Sequence, residues 1–277
     1  MIALLGLLLG ACGSTRATPA PADEAPAVVA VQPPEPLFAE GGLQVERQRW
    51  TWGPAGGAAA RSGLAWRARV ALPGLADVVP SATVAPFDGF LPQDAGPWAA
   101  INGGFYEDDT AMGLVVSDGV EQHPLGPRGG SGVFAFGPQG PVVVHRDAWV
   151  PGPREAVQSV DRLIDQGQVL VRKLGGNAAA RSAVVVGRDA LWLVALAADQ
   201  SLAVQEPGRV VLDDTVGEGL PLAAFAEYLL ATTGAVSALN LDGAISTSFA
   251  AQAGGQSLRI MGERGTINAV VIRPAPP

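Results

Sequence analysis

The chain has 277 residues, of which 48% are hydrophobic, and its formal net charge at pH 7 is -8. This acidic balance argues against a nucleic-acid partner, because such a partner requires clustered lysine and arginine side chains. The single cysteine excludes an intramolecular disulfide, so the chain depends on its hydrophobic core for stability.

The chain opens with an apolar segment that is too short to span a bilayer but has the length of a signal-peptide core. It ends in Leu9-Gly10-Ala11-Cys12, which resembles the lipobox of bacterial lipoproteins. We therefore predict a lipoprotein signal peptide over residues 1–11, lipidation of Cys12, and an exported protein of the cell envelope. Gly13 favours the outer membrane, facing the periplasm or the exterior, with the lipid as the only membrane contact. The alternatives are an incidental cysteine after an ordinary secretory signal and a buried thiol in a cytosolic protein.

A tract rich in proline and alanine follows Cys12 and has no apolar periodicity. Such a tract buries too little surface to offset its chain entropy, and its prolines favour the extended polyproline II conformation. We predict a disordered linker over residues 12–40. One globular domain is expected over residues 41–275, because no second linker interrupts the later sequence.

Short apolar segments punctuated by glycine, proline and aspartate dominate the predicted domain, which is typical of an antiparallel-rich β-protein. Residues 64–72 alternate so that one face is apolar, while Arg67 and Arg69 are expected on a solvent face. Residues 131–145 and 183–196 each contain two apolar segments around a glycine-containing turn. Both are predicted hairpins.

One segment, residues 220–233, has apolar side chains at helical spacing. Pro221 lies in its first turn, and Gly234 stands where a C-terminal cap belongs. The segment predicts the main helix, followed by a strand over residues 235–241. The expected fold class is α+β, a single domain with a mixed or antiparallel β-sheet and few helices.

Two polar clusters follow predicted strands, where a β-scaffold presents functional groups. Asn102-Gly103-Gly104 follows an apolar strand, and its glycines allow a ligand to approach the backbone closely, although an ordinary Asn-Gly turn is the alternative. Asn240 and Asp242 share one face of their strand, because strand side chains repeat every two residues. A carboxylate and an amide there suit sugar hydroxyls, a metal ion or proton transfer, and an Asp-Gly turn is the alternative.

A third candidate is Arg181, which stands just before an apolar strand. A guanidinium offers a planar fork of donors that fits a phosphate, so Arg181 is a candidate anion clamp. A solvated arginine at a strand end is the alternative. His123 and His145 have no ligand-spaced partners, so a zinc site is not expected. The sequence also has no Gly-x-Ser-x-Gly elbow and no phosphate loop, which argues against a serine esterase and a nucleotide-binding protein.

Taken in order, six segments of the chain resemble the phosphodiester glycosidase family. The resemblance is carried by residues 102–106 (Asn-Gly-Gly-Phe-Tyr), 113–119 (Gly-Leu-Val-Val-Ser-Asp-Gly), 158–167 (opening in Gln-Ser), 181–183 (Arg-Ser-Ala), 220–246 (a helix followed by Asn-Leu-Asp-Gly) and 268–270 (Asn-Ala-Val). Together they span about residues 98–273, which is more specific than any single motif.

The resemblance implies hydrolysis of a sugar-1-phosphodiester, or a related glycosidic bond in a glycan, with a carbohydrate or sugar phosphate as the ligand. It implies catalytic roles for Asn102, Arg181, Asn240 and Asp242, with Arg181 holding the phosphate and Asp242 stabilising the sugar cation or handling a proton. Substrate-binding positions are implied at Gly103, Gly104, Gly243, Asp161 and Ser246. A second carboxylate is expected, and Asp161, Asp118 and Glu107 remain open for that role. No cofactor is implied, although a divalent cation remains open.

The chain departs from the family pattern after Asp242. The family has Asp-Gly-Gly-Gly-Ser, whereas this chain has Asp242-Gly243-Ala244-Ile245-Ser246, which predicts either a narrower pocket or lost catalysis. Val160-Asp161 also replaces the family's Gly-Pro. The competing hypotheses are therefore a catalytically inactive glycan-binding lipoprotein of the same fold and a structural envelope protein without a ligand.

Overall fold

The computed structural model describes residues 28–53, 60–171, 177–206, 208–212 and 219–276. The elements in chain order are β1 (Val28–Val31), β2 (Glu35–Glu40), β3 (Leu43–Gly53), β4 (Arg61–Ala71), β5 (Leu75–Ala85), β6 (Trp98–Asn102), β7 (Tyr106–Glu107), β8 (Thr110–Ala111), β9 (Val115–Ser117), β10 (Val120–His123), β11 (Gly132–Gly137), β12 (Gly140–His145), β13 (Glu155–Ser159), β14 (Arg162–Asp165), β15 (Gln168–Val169), β16 (Arg181–Gly187), β17 (Ala190–Ala198), β18 (Leu202–Glu206), β19 (Arg209–Leu212), α1 (Leu222–Thr233), β20 (Ala235–Asn240), β21 (Phe249–Ala253), β22 (Gln256–Met261) and β23 (Thr266–Arg273).

These described strands form three sheets and a small ribbon. The largest sheet has the order β1, β3, β4, β17, β16, β20, β14, β15, with β2 also paired to β3. A second sheet has the order β10, β9, β13, β11, β12, and a third has the order β18, β19, β22, β21, β6, β23, β5. β7 and β8 form the ribbon. Most pairs are antiparallel, and β19 runs parallel to β22, so the third sheet is mixed.

The main core lies where the sheets face one another. Leu43, Phe134, Leu193, Phe249 and Val270, which come from five different strands, are completely buried in it. A second core fills the space between the largest sheet and the helix, and there Trp50, Phe225 and Tyr228 are completely buried. These apolar clusters, one between the sheets and one beneath the helix, hold the sheets and the helix together as a single domain.

Helix α1 confirms the main helix that the sequence predicts. Pro221 precedes the first turn, and Gly234 adopts the left-handed conformation that ends a helix, with φ of 62°. The strand that follows it, β20, runs into the largest sheet between β16 and β14. No helix among the described residues is both long enough and apolar enough to cross a membrane.

The predicted hairpins are also confirmed. β11 and β12 pair through the turn at residues 137–140, and β16 pairs with β17 in continuous antiparallel register. The fold-class prediction is right in its single domain and mixed sheet, but the described chain is mostly β and has one α-helix rather than an α+β balance.

The predicted linker over residues 12–40 is too long. β1 and β2 both pair along β3, so residues 28–40 belong to the largest sheet, while the signal peptide, Cys12 and residues 13–27 lie outside the described residues. Pro33 and Pro34 fall in the connection between the two strands. Pro36 stands at a register shift on an edge strand, where its missing N–H donor is tolerated.

The prediction that Arg67 faces solvent is wrong. Only 2% of Arg67 is exposed, because α1 covers this face of β4. Its guanidinium forms an ion pair with Glu46, donates to the backbone carbonyl of Thr232 in the helix, and lies 5.4 Å from the ring centroid of Trp192. The apolar stem and paired head group together make this burial tolerable.

Candidate active site

Asn102 lies at the end of β6, is fully buried, and joins three distant segments of the chain. Its Nδ2 donates to the backbone carbonyl of Asp242 at 2.7 Å. Its Oδ1 accepts from the hydroxyl of Ser182 at 2.7 Å and from the backbone N–H of Ser248 at 3.0 Å. Because these bonds use both ends of the amide, the side chain fixes the position of the Asp242 backbone rather than facing a ligand.

Gly103 and Gly104 wrap around Asn268, a buried residue of β23. The N–H of Gly103 donates to the backbone carbonyl of Asn268 at 2.8 Å, and the N–H of Gly104 donates to Asn268 Oδ1 at 2.9 Å. A Cβ added at Gly103 would stand 1.7 Å from Asn268 Oδ1, and one added at Gly104 would stand 2.5 Å from the carbonyl oxygen of Gln158. Both positions therefore require glycine for close backbone approach.

Asp242 lies two residues after the end of β20, and both its backbone and its carboxylate are hydrogen-bonded. Its N–H donates to the carbonyl of Gly103 at 3.0 Å, and its Oδ1 accepts from the N–H of Gly243 at 2.9 Å. Burial raises the pKa of the Asp242 carboxyl above its usual value, whereas hydrogen bonding by Ser246 and Gly243 and the charge of Arg264 act in the opposite direction. A partly buried carboxyl with a shifted pKa is typical of a functional site.

Tyr106 and Arg264 stand beside this carboxyl. The guanidinium carbon of Arg264 lies 4.9 Å from the ring centroid of Tyr106, and the Tyr106 hydroxyl donates to the carbonyl of Gly265 at 2.9 Å. Burial raises the pKa of the Tyr106 phenol, and the negative charges of Asp242 and Asp109 add to that rise, while Arg264 opposes it. A carboxyl, a phenol, a hydroxyl from Ser246 and a guanidinium therefore share one site.

The structure places the Arg181 backbone beside Asp242 but directs its side chain elsewhere. Ala183 pairs with Asn240, and the N–H of Leu241 continues this ladder to the carbonyl of Ser182, so the chains at positions 181 and 242 run side by side. The Arg181 guanidinium, however, donates to the carbonyls of Leu220, at 2.9 Å, and Asn177. These bonds tie the start of β16 to the segment before α1.

Asn240 is 4% exposed, and its Oδ1 has no hydrogen-bond partner among the described residues. Its backbone N–H donates to the carbonyl of Asp161 at 3.1 Å, so these two predicted residues are brought together. Asp161 has a φ of 63°, a left-handed conformation that aspartate adopts more readily than most other non-glycine residues. The buried amide oxygen of Asn240 is therefore available to accept a hydrogen bond, and it lies next to the turn that contains Asp161.

The segment that departs from the family pattern makes a tight turn after Asp242. Gly243 lies against the carbonyl of Ala180, where an added Cβ would stand 2.9 Å away, and Ala244 has a φ of 54°. Ile245 remains 36% exposed, so its side chain is not packed into the interior. Ser246 is buried, and its hydroxyl acts to lower the pKa of both the Asp242 carboxyl and the Tyr106 phenol.

Two of the three candidates for a second carboxylate have other partners. Asp118 lies in the exposed turn between β9 and β10 and pairs with Arg154, and Glu107 is exposed and pairs with Arg128. Asp161 stays beside Asn240 as described. The structure adds Asp109, whose charge acts on the Tyr106 phenol.

Other motif residues support the framework. The Gln158 side chain accepts from the N–H groups of Leu114 and Gly126 and donates to the carbonyls of Gly126 and Gly130, so it pins a loop against β13. His123 Nδ1 contacts the carbonyl of Gly113 at 2.9 Å. No group of three or more histidine, cysteine, aspartate or glutamate side chains among the described residues is placed to hold a metal ion.

Sequence reasoning missed Tyr106 and Arg264 as site residues. Tyr106 ends the Asn-Gly-Gly motif, but nothing in the local pattern assigned it a role. Arg264 lies in the turn Gly262-Glu263-Arg264-Gly265 just before β23. An arginine between glycines next to a buried strand was the available signal, because glycines there let a cation approach a cleft.

Solved structures share this arrangement of sheets. The catalytic domain of zebrafish N-acetylglucosamine-1-phosphodiester alpha-N-acetylglucosaminidase, auto-inhibited by its pro-peptide, superposes with a TM-score of 0.61 at 14% identity over 90% of this chain and 89% of that one. A hypothetical protein from Synechocystis gives a TM-score of 0.56 at 17% identity, over 90% of this chain and 68% of that one. The fold is therefore the one that phosphodiester glycosidase catalytic domains use.

The family model described as phosphodiester glycosidase matches residues 95–273, which is more than half of the chain. The chain belongs to the phosphodiester glycosidase family. No curated protein sequence matches it significantly. The matched range contains Asn102, Arg181, Asn240 and Asp242, together with Tyr106 and Arg264.

Proposed function

We propose that this protein hydrolyses a sugar-1-phosphodiester or a related glycosidic bond in a glycan. The observation that carries the proposal is the Asp242 carboxyl, whose pKa is raised by burial. Ser246, Tyr106 and Arg264 stand around this carboxyl. Family membership and the zebrafish relative, whose name describes a phosphodiester glycosidase, support the same reaction class.

In the proposed reaction the bond between the sugar anomeric carbon and the phosphate oxygen breaks. The phosphate leaves with the bonding electrons, and the oxygen of a water molecule bonds to the anomeric carbon and releases a proton. Asp242 stabilises the positive charge that develops on the sugar or accepts the proton, which are the roles that carboxylates play in glycoside hydrolysis.

Arg264 supplies the cation for the phosphate in this proposal. Its charge acts directly on Asp242, its side chain is exposed, and its backbone N–H is fixed by the carbonyl of Ile245 at 2.9 Å. A guanidinium offers paired donors that match phosphate oxygens. Arg181, which donates to two backbone carbonyls, then shapes the wall beside Asp242.

We also propose that the protein is an exported lipoprotein anchored at Cys12. The support is the apolar segment ending in Leu-Gly-Ala-Cys and the distance in sequence between Cys12 and β1, which leaves residues 13–27 as the tether. Metabolic labelling with a fatty acid tests this proposal. Label must appear in the wild type and be absent from Cys12→Ser.

A catalytically inactive glycan-binding protein is the second candidate. The observation that favours it is Ala244, which occupies a left-handed conformation that the family fills with glycine. An alanine in this conformation carries a backbone strain that glycine lacks, and catalysis depends closely on the placement of the reacting groups beside it.

Turnover of synthetic sugar-1-phosphodiesters by the purified protein distinguishes the two candidates. We expect release of the free sugar by the wild type and loss of that release in Asp242→Asn. Asp118→Asn is the matched control, because it changes another Asp-Gly turn that is exposed and lies outside the site. Ligand binding by the wild type without turnover would establish the binding protein instead.

A further inference from the structure

Ile245 is an exposed apolar residue in a segment that is otherwise buried or half-buried. It is the only exposed position within residues 241–250, with 36% of its surface accessible, and the three residues that follow it are buried. It also stands where the family pattern has glycine, which carries no side chain. Ile245 therefore adds an apolar surface to this site that the family pattern does not contain.

The turn that carries Ile245 is fixed on both sides of that residue. The N–H of Ala244 donates to the carbonyl of Ala180 at 2.9 Å, and the N–H of Ser246 donates to the carbonyl of Gly243 at 3.1 Å. Branching at Cβ also restricts the rotation of the isoleucine side chain about χ1. The turn therefore presents this side chain in a narrow range of directions, which is what discrimination between ligands requires.

Ile245 lies directly beside the turn that carries the guanidinium of the site. The N–H of Arg264 donates to the carbonyl of Ile245 at 2.9 Å, and a Cβ added at Gly262 would stand 2.5 Å from the same carbonyl oxygen. The backbones of the two turns are therefore in contact. Asp242 lies three positions before Ile245, and the charge of Arg264 acts on its carboxyl. A phosphate held by Arg264 consequently has Ile245 as a neighbour.

An aliphatic side chain at this position discriminates between polar and apolar groups of a ligand. It offers no hydrogen-bond donor or acceptor, so a hydroxyl group placed against it loses hydrogen bonds to water without replacement. An alkyl group placed there removes apolar surface of both partners from water, which is favourable for each methylene that is covered. Next to a cation, the position suits a phosphate that carries an aliphatic group.

We propose that Ile245 makes the site specific for a sugar-1-phosphodiester whose second alcohol is aliphatic. The proposal rests on the proposed function, in which the sugar lies at Asp242 and the phosphate at Arg264. Hydrolysis breaks the bond between the anomeric carbon and the phosphate oxygen, so the products are the free sugar and an alkyl phosphate. Ile245 takes no part in bond breaking and contacts the alkyl chain, so its contribution lies in substrate binding.

Kinetics on the methyl, butyl and octyl esters of one sugar-1-phosphate test this specificity. We expect kcat/KM of the wild type to be about tenfold higher for the butyl ester than for the methyl ester, mainly through KM. Ile245→Ser should remove this preference, and Ile245→Val should retain it. Val236→Ser is the matched control and should also retain it, because Val236 is 37% exposed at the other end of β20 from Asp242.

The length of the alkyl chain distinguishes two sources of the alcohol. A further rise in kcat/KM at the octyl ester would support a lipid chain, and a plateau at the butyl ester would support a short alcohol. Equal kcat/KM for the three esters, or a preference that Ile245→Ser leaves intact, would overturn the role of Ile245 and leave the hydrolase in place.

Binding of methyl phosphate and butyl phosphate, followed by calorimetry, tests the apolar contact without turnover. We expect butyl phosphate to bind the wild type more tightly than methyl phosphate, and we expect Ile245→Ser to remove the difference. That result without turnover of any ester would keep the contact at Ile245 and overturn the hydrolase. Absence of binding for both phosphates, together with absence of turnover, would overturn both proposals.

Discussion

The side-chain amide of Asn102 donates a 2.7 Å hydrogen bond to the backbone carbonyl of Asp242, which lies 140 positions later in the chain. The same side chain accepts from Ser182 and Ser248. The backbone of Asp242 is therefore held in place by a buried amide that is hydrogen-bonded through both its nitrogen and its oxygen. Networks of this kind hold a group in place because each missing bond leaves a buried partner unsatisfied.

Asn102→Ala removes all three of these bonds. It leaves the N–H of Ser248 and the hydroxyl of Ser182 without partners in the interior, so we expect the free energy of unfolding to fall by about 2–4 kcal/mol. Urea denaturation of wild type and variant measures this loss. A change below about 1 kcal/mol would show that the network contributes little to stability.

Asn240→Ala is predicted to behave in the opposite way. Because its Oδ1 has no partner among the described residues, removing the amide should change the free energy of unfolding by less than about 1 kcal/mol. If Asn240 contacts the substrate, kcat/KM should nevertheless fall about tenfold or more. Denaturation and kinetics on the same preparation test both expectations, and a stability loss as large as that of Asn102→Ala would contradict them.

The raised pKa of Asp242 makes stability depend on pH in a defined direction. The folded state holds the proton more tightly than the unfolded state, so this contribution is fully present below the usual value of 3.8 and is lost as pH rises through the higher folded pKa. Asp242→Asn has no charge to bury. Urea unfolding from acidic to neutral pH should therefore show Asp242→Asn gaining stability relative to wild type as pH rises, and a difference that shrinks would refute the assignment.

Arg264 and Arg181 have distinguishable roles. Arg264→Gln removes the cation beside Asp242, and we expect kcat/KM for a phosphodiester to fall about 10- to 100-fold with little change in unfolding free energy. Arg181→Gln breaks bonds to two backbone carbonyls, so it should lower the unfolding free energy by about 1–3 kcal/mol. Steady-state kinetics and urea denaturation of both variants distinguish the kinetic role of Arg264 from the structural role of Arg181. A purely kinetic defect in Arg181→Gln would make that residue the phosphate clamp.

Ala244→Gly should relieve backbone strain at the turn after Asp242. A φ of 54° costs an alanine about 1–2 kcal/mol, and the extra chain entropy of glycine in the unfolded state offsets part of the gain. We expect a net increase in unfolding free energy of up to about 1 kcal/mol. Ala203→Gly on β18 is the matched control and should lose about 0.5–1 kcal/mol. A loss in both variants would show that the turn is not strained.

The local elements could be predicted from the sequence because their signals are local. Pro221 and Gly234 bound the helix, and the glycine turn at residues 137–140 closes a hairpin. The burial of Arg67 could not be predicted in this way, because alternation within β4 does not reveal that α1 covers its second face. The strand at residues 35–40 could not be predicted either, because Pro36 argues against a strand unless the strand lies at the edge of its sheet. The sequence does not show that β2 is an edge strand.

The candidate site was predictable in part. The order of the motifs predicts that Asn102 and Asp242 meet, and the two residues are hydrogen-bonded in the structure, because the family resemblance reports on tertiary contacts that local patterns do not contain. The direction of the Arg181 side chain depends on the carbonyls of Leu220 and Asn177, and no sequence signal reports on those. Arg264 reaches the site only because its turn folds back over Tyr106.

The position of Asn268 in the sequence determines when the loop at Gly103 and Gly104 can form during synthesis. It lies in β23, the last of the described strands, yet its backbone and side-chain oxygens accept from the N–H groups of Gly103 and Gly104 near the start of the family domain. A nascent chain still emerging from the ribosome lacks this strand and cannot close the loop that supports Asp242. The candidate site therefore stays incomplete until β23 has been synthesised, and deletion of β23 would remove the support of Asp242 without removing any of the acidic or basic side chains of the site.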